Sequence, residues 1–183
     1  MTRLHPNILI ALFVLCSWCG SSAEPELFSN GDFAAGDNGV PTGWTLRTEV
    51  GCRIERLTEH GKQFVRLAVT TPGESCILQQ TVALERNVVA LNFASTYRWR
   101  NIKPGNKRHM KGKVQGRFLQ GKKEFGAWID LGSVSGSGDW RTAKKTVTVP
   151  AAATGFFFRL ALYNVQGGQL DVQSISCTIA KTD

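Results

Sequence analysis

Residue patterns that carry catalysis are missing from this sequence. It has three histidines, and only His60 and His109 follow the apolar N-terminal segment. Neither lies in a nucleophile motif, and the Gly-x-Ser-x-Gly, P-loop and Rossmann glycine patterns are absent. A glycosidase needs two carboxylates beside one bond, and the sequence assigns that geometry to no pair among Asp130, Asp139 and Asp171. We therefore expect a protein that is not an enzyme.

Long apolar runs are scarce as well. The longest candidate, residues 8–16, is shorter than the ~18 residues that a membrane span requires. Arg3 before it and the small residues that end at Ala23 are typical of a secretory signal peptide. Leu15 and Trp18 precede the cysteines of this segment, where a lipoprotein would need a small residue. We predict cleavage after Ala23, export, and one domain over residues 24–183 without a transmembrane segment.

Acidic residues are absent between Glu85 and Glu124, in a chain whose formal net charge is +8. The basic residues of this interval are Arg86, Arg98, Arg100, Lys103, Lys107, Arg108, Lys111, Lys113, Arg117, Lys122 and Lys123. Such a field attracts anionic partners, which include acidic or sulfated glycans, nucleic acid and anionic cell surfaces. A solvated basic face without a partner is the alternative interpretation.

Cysteine is limited, after the predicted cleavage site, to Cys52, Cys76 and Cys177. An exported chain favours one disulfide and one leftover thiol, and all three pairings stay open. Because Cys-x-x-Cys and Cys/His clusters are missing, we do not expect a zinc site.

Helical signals are missing too, since no segment after residue 24 sustains a 3.6-residue period between caps. Gly, Pro, Asn or Ser separates most of a series of β-rich runs at residues 50–57, 63–70, 77–84, 88–100, 113–120, 125–131, 145–149, 156–163 and 169–179. Residues 103–107 are typical of a turn, and residues 133–139 of a Gly/Ser loop. The sequence predicts an all-β, antiparallel sandwich or barrel.

Alternation assigns two faces to these strands, because residues two apart share a face. The predicted inward side chains include Leu91, Phe93, Val114, Phe118, Phe125, Ala127, Ile129, Leu131, Phe156, Phe158, Leu160 and Leu162. The predicted outward side chains include Gln79, Arg98, Gln115, Arg117, Trp128, Asp130, Phe157, Arg159 and Tyr163. We expect four further rings in the core, namely Phe33, Trp44, Trp99 and Trp140.

A tight turn followed by two large rings marks the N-terminal region, in residues 29–36 (SNGDFAAG) and 41–44 (PTGW). The C-terminal half has GDWR at 138–141, a Val-Pro strand end at 149–150 and GGQLDV at 167–172. These motifs, in this order, resemble the CenC-type carbohydrate-binding modules, which are galactose-binding-like β-sandwiches. One departure is Ala34, where that family has Glu.

The resemblance implies a jelly-roll sandwich that binds a polysaccharide without catalysis and does not bind nucleic acid. It also implies a structural Ca²⁺ held by main-chain oxygens of Asp32 and Lys62 and by the carboxylates of Glu59 and Asp171. Such hard oxygen ligands suit Ca²⁺, although Ala34 removes one carboxylate. The alternatives are a structural or protein-interaction sandwich that has lost sugar binding, and a small glycoside hydrolase.

The outward side chains suggest a ligand site. A sugar offers an apolar ring face and a rim of hydroxyls, which suits an aromatic platform among planar polar groups. We expect one concave sheet to carry Arg98, Arg117, Trp128, Asp130, Arg159 and Tyr163. Trp128 would stack on a sugar ring, and the arginines favour a carboxylated or sulfated glycan through charge-assisted, bidentate hydrogen bonds. A Trp128 that packs under a loop is the alternative.

Overall fold

The computed structural model describes residues 25–37, 39–48 and 50–180. The predicted signal peptide and cleavage site lie outside these residues. The described strands are β1 Gly36–Asp37, β2 Val40–Pro41, β3 Thr45–Thr48, β4 Cys52–Glu59, β5 Lys62–Val69, β6 Cys76–Ala83, β7 Ala90–Lys103, β8 Gly112–Gln120, β9 Lys123–Val134, β10 Gly136–Thr148, β11 Gly155–Leu162 and β12 Gly167–Ile179. Within the described ranges, no helix has the length and apolar character needed to cross a membrane.

Ten of these strands form two antiparallel sheets. The first sheet has the order β10-β7-β12-β5-β4, and the second has the order β3-β6-β11-β8-β9. Strands β1 and β2 form a separate short ribbon. The prediction of an all-β, antiparallel sandwich is confirmed. The Gly/Ser loop predicted at residues 133–139 is wrong, because β9 continues to Val134 and β10 begins at Gly136.

The core lies between the two sheets and follows the predicted alternation. Leu91, Phe93 and Tyr97 of β7 point from the first sheet, and Phe156 and Phe158 of β11 point from the second. The rings of Phe93 and Phe156 lie 4.8 Å apart between centroids. Burial of these side chains supplies the main driving force for closing the sandwich.

The N-terminal turn is anchored on this core, as its sequence predicts. Asn30 has a φ of 51° and Phe33 a φ of 59°, a conformation that Asn tolerates well. The Asn30 amide donates to the carbonyls of Ala35 and Thr42. Phe33 and Trp44 are buried with their rings 5.3 Å apart. The turn is therefore fixed by two rings and one amide.

The disulfide joins Cys52 of β4 to Cys76 of β6 and so links the two sheets. Cys177 is the buried free thiol, and burial raises its pKa above the ordinary value. One bridge and one thiol agree with the expectation for an exported chain.

Two predicted orientations are wrong, and one outward side chain is covered. Phe157 faces outward as predicted, but it packs beneath Trp128 and is only 7% exposed. Ala127 is exposed, because a register shift between Gly116 and Phe118 interrupts the pairing of β8 with β9. Trp140 is 36% exposed and not in the core, while Trp99 packs partly buried against the core as predicted.

Candidate functional site

A groove of about 350 Å³ lies on the outer face of the first sheet. Its aromatic wall is Trp140 from β10, with Phe64 of β5 beneath it at 5.7 Å in an edge-on arrangement. The polar lining consists of Glu59, His60, Lys62, Thr96, Arg141, Thr142 and Gln173. A volume of this size and an exposed ring among polar groups are typical of small-molecule sites.

The β4–β5 hairpin delivers part of this lining. His60 and Gly61 have φ values of 51° and 75°, as a two-residue type I′ turn requires. Glu59 and Lys62 flank the turn and pair across the two strands. The tight turn therefore places an acid, an imidazole and an amine at one end of the groove.

Arg98 positions the aromatic wall from below. Its guanidinium lies 5.1 Å from the ring centroid of Phe64 and 4.6 Å from that of Trp140. Arg98 is only 6% exposed although it is on the outer face of β7. The Arg98 guanidinium contacts both rings, and this cation–π attraction supports Trp140 above the sheet.

Asp171 of β12 holds this arginine in place. The carboxylate accepts hydrogen bonds from both Nε and Nη2 of Arg66, at 2.7 and 2.8 Å, and from Nε of Arg98 at 2.8 Å. Glu59 pairs with Nη1 of Arg98 at 2.5 Å. Burial opposes the charge on Arg98, but the hydrogen bonds with Asp171 and Glu59 raise its pKa. The network is a rigid support because each partner is ionised and bonded.

Chemically, the groove can stack and hydrogen-bond a ligand. The Trp140 ring offers an apolar surface, Glu59 accepts hydrogen bonds, and Lys62 and Gln173 donate them. A pyranose ring, with its apolar face and hydroxyl rim, matches this combination of groups.

The residues predicted from sequence do not lie on one sheet. Arg98 is in β7 of the first sheet, whereas Arg117, Trp128, Asp130 and Arg159 lie on the second sheet in β8, β9 and β11. Tyr163 directly follows β11. Alternation correctly indicates outward orientation for Arg98, but it does not indicate the sheet to which a strand belongs.

Arg117, Trp128 and Arg159 of the second sheet do cluster, and Tyr163 lies beside Arg159. The guanidinium of Arg159 lies 4.1 Å from the Trp128 centroid, and that of Arg117 lies 5.3 Å from it. When the Gln115 amide is assigned so that its oxygen faces Arg159, that oxygen accepts a hydrogen bond from Arg159 Nε at a distance of 2.9 Å. Arg117 donates to Glu124 and to the Gly126 carbonyl. The Trp128 ring and the guanidinium groups of Arg117 and Arg159 are therefore already engaged with protein groups rather than open to a ligand.

Sequence reasoning missed Trp140, Phe64, His60 and Lys62 as groove residues. Trp140 follows a glycine-rich stretch, which suggested a loop leading to a core ring. The register shifts between Gly136 and Arg141 redirect the strand so that Trp140 points outward. Phe64 is followed by Val65, and two adjacent apolar residues do not indicate which of them faces the core.

The side chains expected to bind Ca²⁺ do not fit that ion. Both oxygens of Asp171 are bonded to guanidinium groups, and Glu59 is paired with Arg98. Among the described residues, no group of three or more His, Cys, Asp and Glu could hold a metal. The charge that Ca²⁺ would neutralise is already neutralised by arginine.

A third arginine occupies the N-terminal turn. Arg56 of β4 donates to the main-chain oxygens of Phe33 and Gly36 at 3.0 and 2.7 Å, and also to that of Ala34. These carbonyls directly follow Asp32, whose main-chain oxygen was an expected ligand. The guanidinium thus supplies a cation to the carbonyls of this turn.

The sequence matches no protein-family model, and no curated protein matches it. Solved structures do match. The enzymatically active domain of tailspike protein 4 from bacteriophage CBA120 has a TM-score of 0.62 at 14% identity, over 85% of this chain and 21% of that chain. TmCBM61, solved with β-1,4-galactotriose, has a TM-score of 0.56 at 10% identity, over 86% of this chain and 100% of its own.

A third similar structure is the CBM22-1 xylan-binding domain of Xyn10C from Paenibacillus barcinonensis. It has a TM-score of 0.53 at 13% identity, over 88% of this chain and 98% of its own. The matches to whole carbohydrate-binding modules span nearly their full length, whereas the match spans about a fifth of the solved tailspike domain. At these identities the comparisons show the β-sandwich fold, which this chain shares with carbohydrate-binding modules of several families.

Proposed function

We propose that this protein is a secreted, non-catalytic carbohydrate-binding module of the CenC type, with its glycan in the groove beside Trp140. The observation that carries the proposal is Trp140 itself, a large ring that is 36% exposed and fixed over a polar groove. Phe64 and Arg98 pack against one side of this ring, and the exposed part of the ring faces the groove. A sugar stacked on it would remove that apolar surface from water.

An acidic polysaccharide suits the charges around the groove. Lys62 and Arg141 line it against the single carboxylate of Glu59, which already pairs with Arg98. The Arg141 guanidinium already donates from Nε and Nη2 to the hydroxyl of Tyr97, so Lys62 is the lining cation left to make charge-assisted contacts with a ligand carboxylate or sulfate. The contribution of these contacts would fall as salt rises, because the Debye length is only ~8 Å at physiological ionic strength.

Secretion is supported by two features of the chain. The disulfide between Cys52 and Cys76 is typical of oxidising compartments, and the first 23 residues have the pattern of a signal peptide. Intact-mass measurement of the exported protein tests both, with a first residue of Glu24 expected. Retention of Met1 to Ala23 would contradict export by cleavage.

A glycan array tests the binding function. The array should include neutral, carboxylated and sulfated polysaccharides, and should be read at low and at high salt. We expect binding to a defined group of glycans, with acidic members weakened by salt. Binding to no glycan at either salt would favour the alternative of a structural or protein-interaction sandwich.

A further inference from the structure

A second pocket lies on the second sheet, whereas the groove lies on the first. It has a volume of about 510 Å³ and forms where the connection between β7 and β8 meets the outer face of β8 and β9. Its lining is Arg108, His109, Lys111, Lys113, Asp130 and Ser133. We call it the basic pocket, since three of these side chains are basic and one is an acid.

Lys113 shows that positive charge is in excess here. Its side chain is only 15% exposed, its Nζ donates to Ser133 Oγ, and Asp130 Oδ2 lies 3.9 Å away. Burial lowers the pKa of Lys113, the carboxylate of Asp130 opposes this shift, and the charges of Lys111 and Arg159 add to the lowering. The lining has one carboxylate for three basic side chains, so a bound anion would offset the remaining positive charge.

The pocket is held in a fixed shape. Gly105 N donates to Met110 O at 2.9 Å within the connection, and Tyr163 N donates to Lys111 O at 3.2 Å from the end of β11. The His109 ring lies 5.8 Å from that of Tyr163, whose ring also lies 5.8 Å from the Arg159 guanidinium. The cations are therefore displayed on anchored backbone, and they adjoin the cluster around Trp128.

We propose that the basic pocket binds the sulfate or carboxylate group of an anionic polysaccharide, as a second site that the groove on the other sheet does not include. Lys111, Lys113 and Arg108 meet the oxyanion, with Ser133 as a further donor. Asp130 accepts from sugar hydroxyls, which a polysaccharide presents beside its anionic group. Duplex DNA presents phosphates without free sugar hydroxyls for Asp130 to accept from, and this favours a glycan as the partner.

The test uses dextran sulfate, polygalacturonic acid and unmodified dextran, titrated by calorimetry against the whole exported protein. The Arg108→Ala/Lys111→Ala variant removes two cations of the pocket. The matched control is Lys144→Ala/Lys145→Ala, which removes two exposed lysines from β10 of the other sheet. We expect the pocket variant to lose about tenfold or more in affinity for a charged dextran or galacturonan, as for charged hydrogen bonds, and the control to change little.

Comparison of the two charged probes identifies the oxyanion as sulfate or carboxylate. Equal losses for the pocket variant and the control would show a diffuse field and overturn the proposal. So would equal binding of dextran sulfate and dextran, or equal binding of duplex DNA with the same response to the variants. Lys113→Met keeps the length of the buried side chain, and it should reduce dextran sulfate binding with an unchanged melting temperature or a higher one.

Trp140→Ala separates this proposal from the groove. The variant should bind dextran sulfate like the parent if the basic pocket is an independent site. Failure of the parent protein to bind any neutral glycan would then count against the groove alone, and a loss of dextran sulfate binding in Trp140→Ala as large as that in Arg108→Ala/Lys111→Ala would overturn the second site.

Discussion

The Arg98 guanidinium lies 4.6 Å from the ring centroid of Trp140, on the outer face of the first sheet. Phe64 completes this trio from below, 5.7 Å from the Trp140 centroid. The second sheet has a matching trio, in which Arg159 lies 4.1 Å from Trp128 and Phe157 packs edge-on at 5.5 Å. Only the first trio stands in a groove with an exposed ring, and that difference directs the functional interpretation to Trp140.

The support beneath Trp140 can be tested at Asp171. Asp171→Asn removes a 1% exposed charge and leaves Arg66 and Arg98 without their shared partner. We expect the free energy of unfolding to fall by about 3–5 kcal/mol, as when a buried ion pair loses one member. Urea denaturation measures this change.

Glu124→Gln is the matched control for that variant. Glu124 pairs with Arg117 while its side chain is 48% exposed, and an exposed pair contributes only ~0–1 kcal/mol. If Asp171→Asn were no more destabilising than Glu124→Gln, the network would not support the aromatic wall.

Two tryptophans should respond differently to truncation. Trp44 is 6% exposed and packs on Phe28 and Phe33, so Trp44→Ala should cost about 3–5 kcal/mol in unfolding free energy. Trp140→Ala should cost less than about 2 kcal/mol, because part of its ring is already in water. Thermal melts followed by circular dichroism compare the two. A larger loss in Trp140→Ala would assign that ring to the core.

Arginine in place of a metal predicts insensitivity to chelation. The melting temperature should be unchanged by EDTA, because Arg56 binds the carbonyls of the N-terminal turn. Arg56→Ala should lower the unfolding free energy by about 2–3 kcal/mol, as for hydrogen bonds to a charged group. Arg53→Ala on the same strand is the control, since its side chain is 67% exposed. A lower melting temperature in EDTA would contradict this assignment.

The thiol count of the exported chain tests the disulfide. Titration of the denatured, non-reduced protein should find one thiol per chain, Cys177. The folded protein should not react, because burial raises the pKa of this thiol and keeps it protonated at neutral pH. Replacing both Cys52 and Cys76 with Ala should cost about 2–4 kcal/mol. Three reactive thiols in the denatured protein would mean that no bridge forms.

Sequence patterns predicted most of the fold but only part of the site. Alternation places Leu91 and Phe93 inside, because one-sided burial gives a clear period of two. The pattern fails at Trp140, where register shifts in β10 change which residue points outward. Such irregularities come from pairing with β7, which the local sequence does not reveal.

The sequence also does not indicate which strands belong to which sheet. Arg98 and Arg117 are both outward-facing, yet they lie on opposite sides of the sandwich. Strand order depends on long-range pairing, and several strand orders bury the same apolar residues. The charge-rich interval between Glu85 and Glu124 was visible in the sequence, but its division between two faces was not.

The most direct measurement is a calorimetric titration of a neutral glycan identified on the array against the parent, Trp140→Ala and Trp128→Ala. The groove predicts a loss of about tenfold or more for Trp140→Ala, the size expected of a central aromatic contact, and a change below about threefold for Trp128→Ala. Parent-like binding by Trp140→Ala, with the loss instead in Trp128→Ala, would contradict the groove and place the sugar on the opposite sheet.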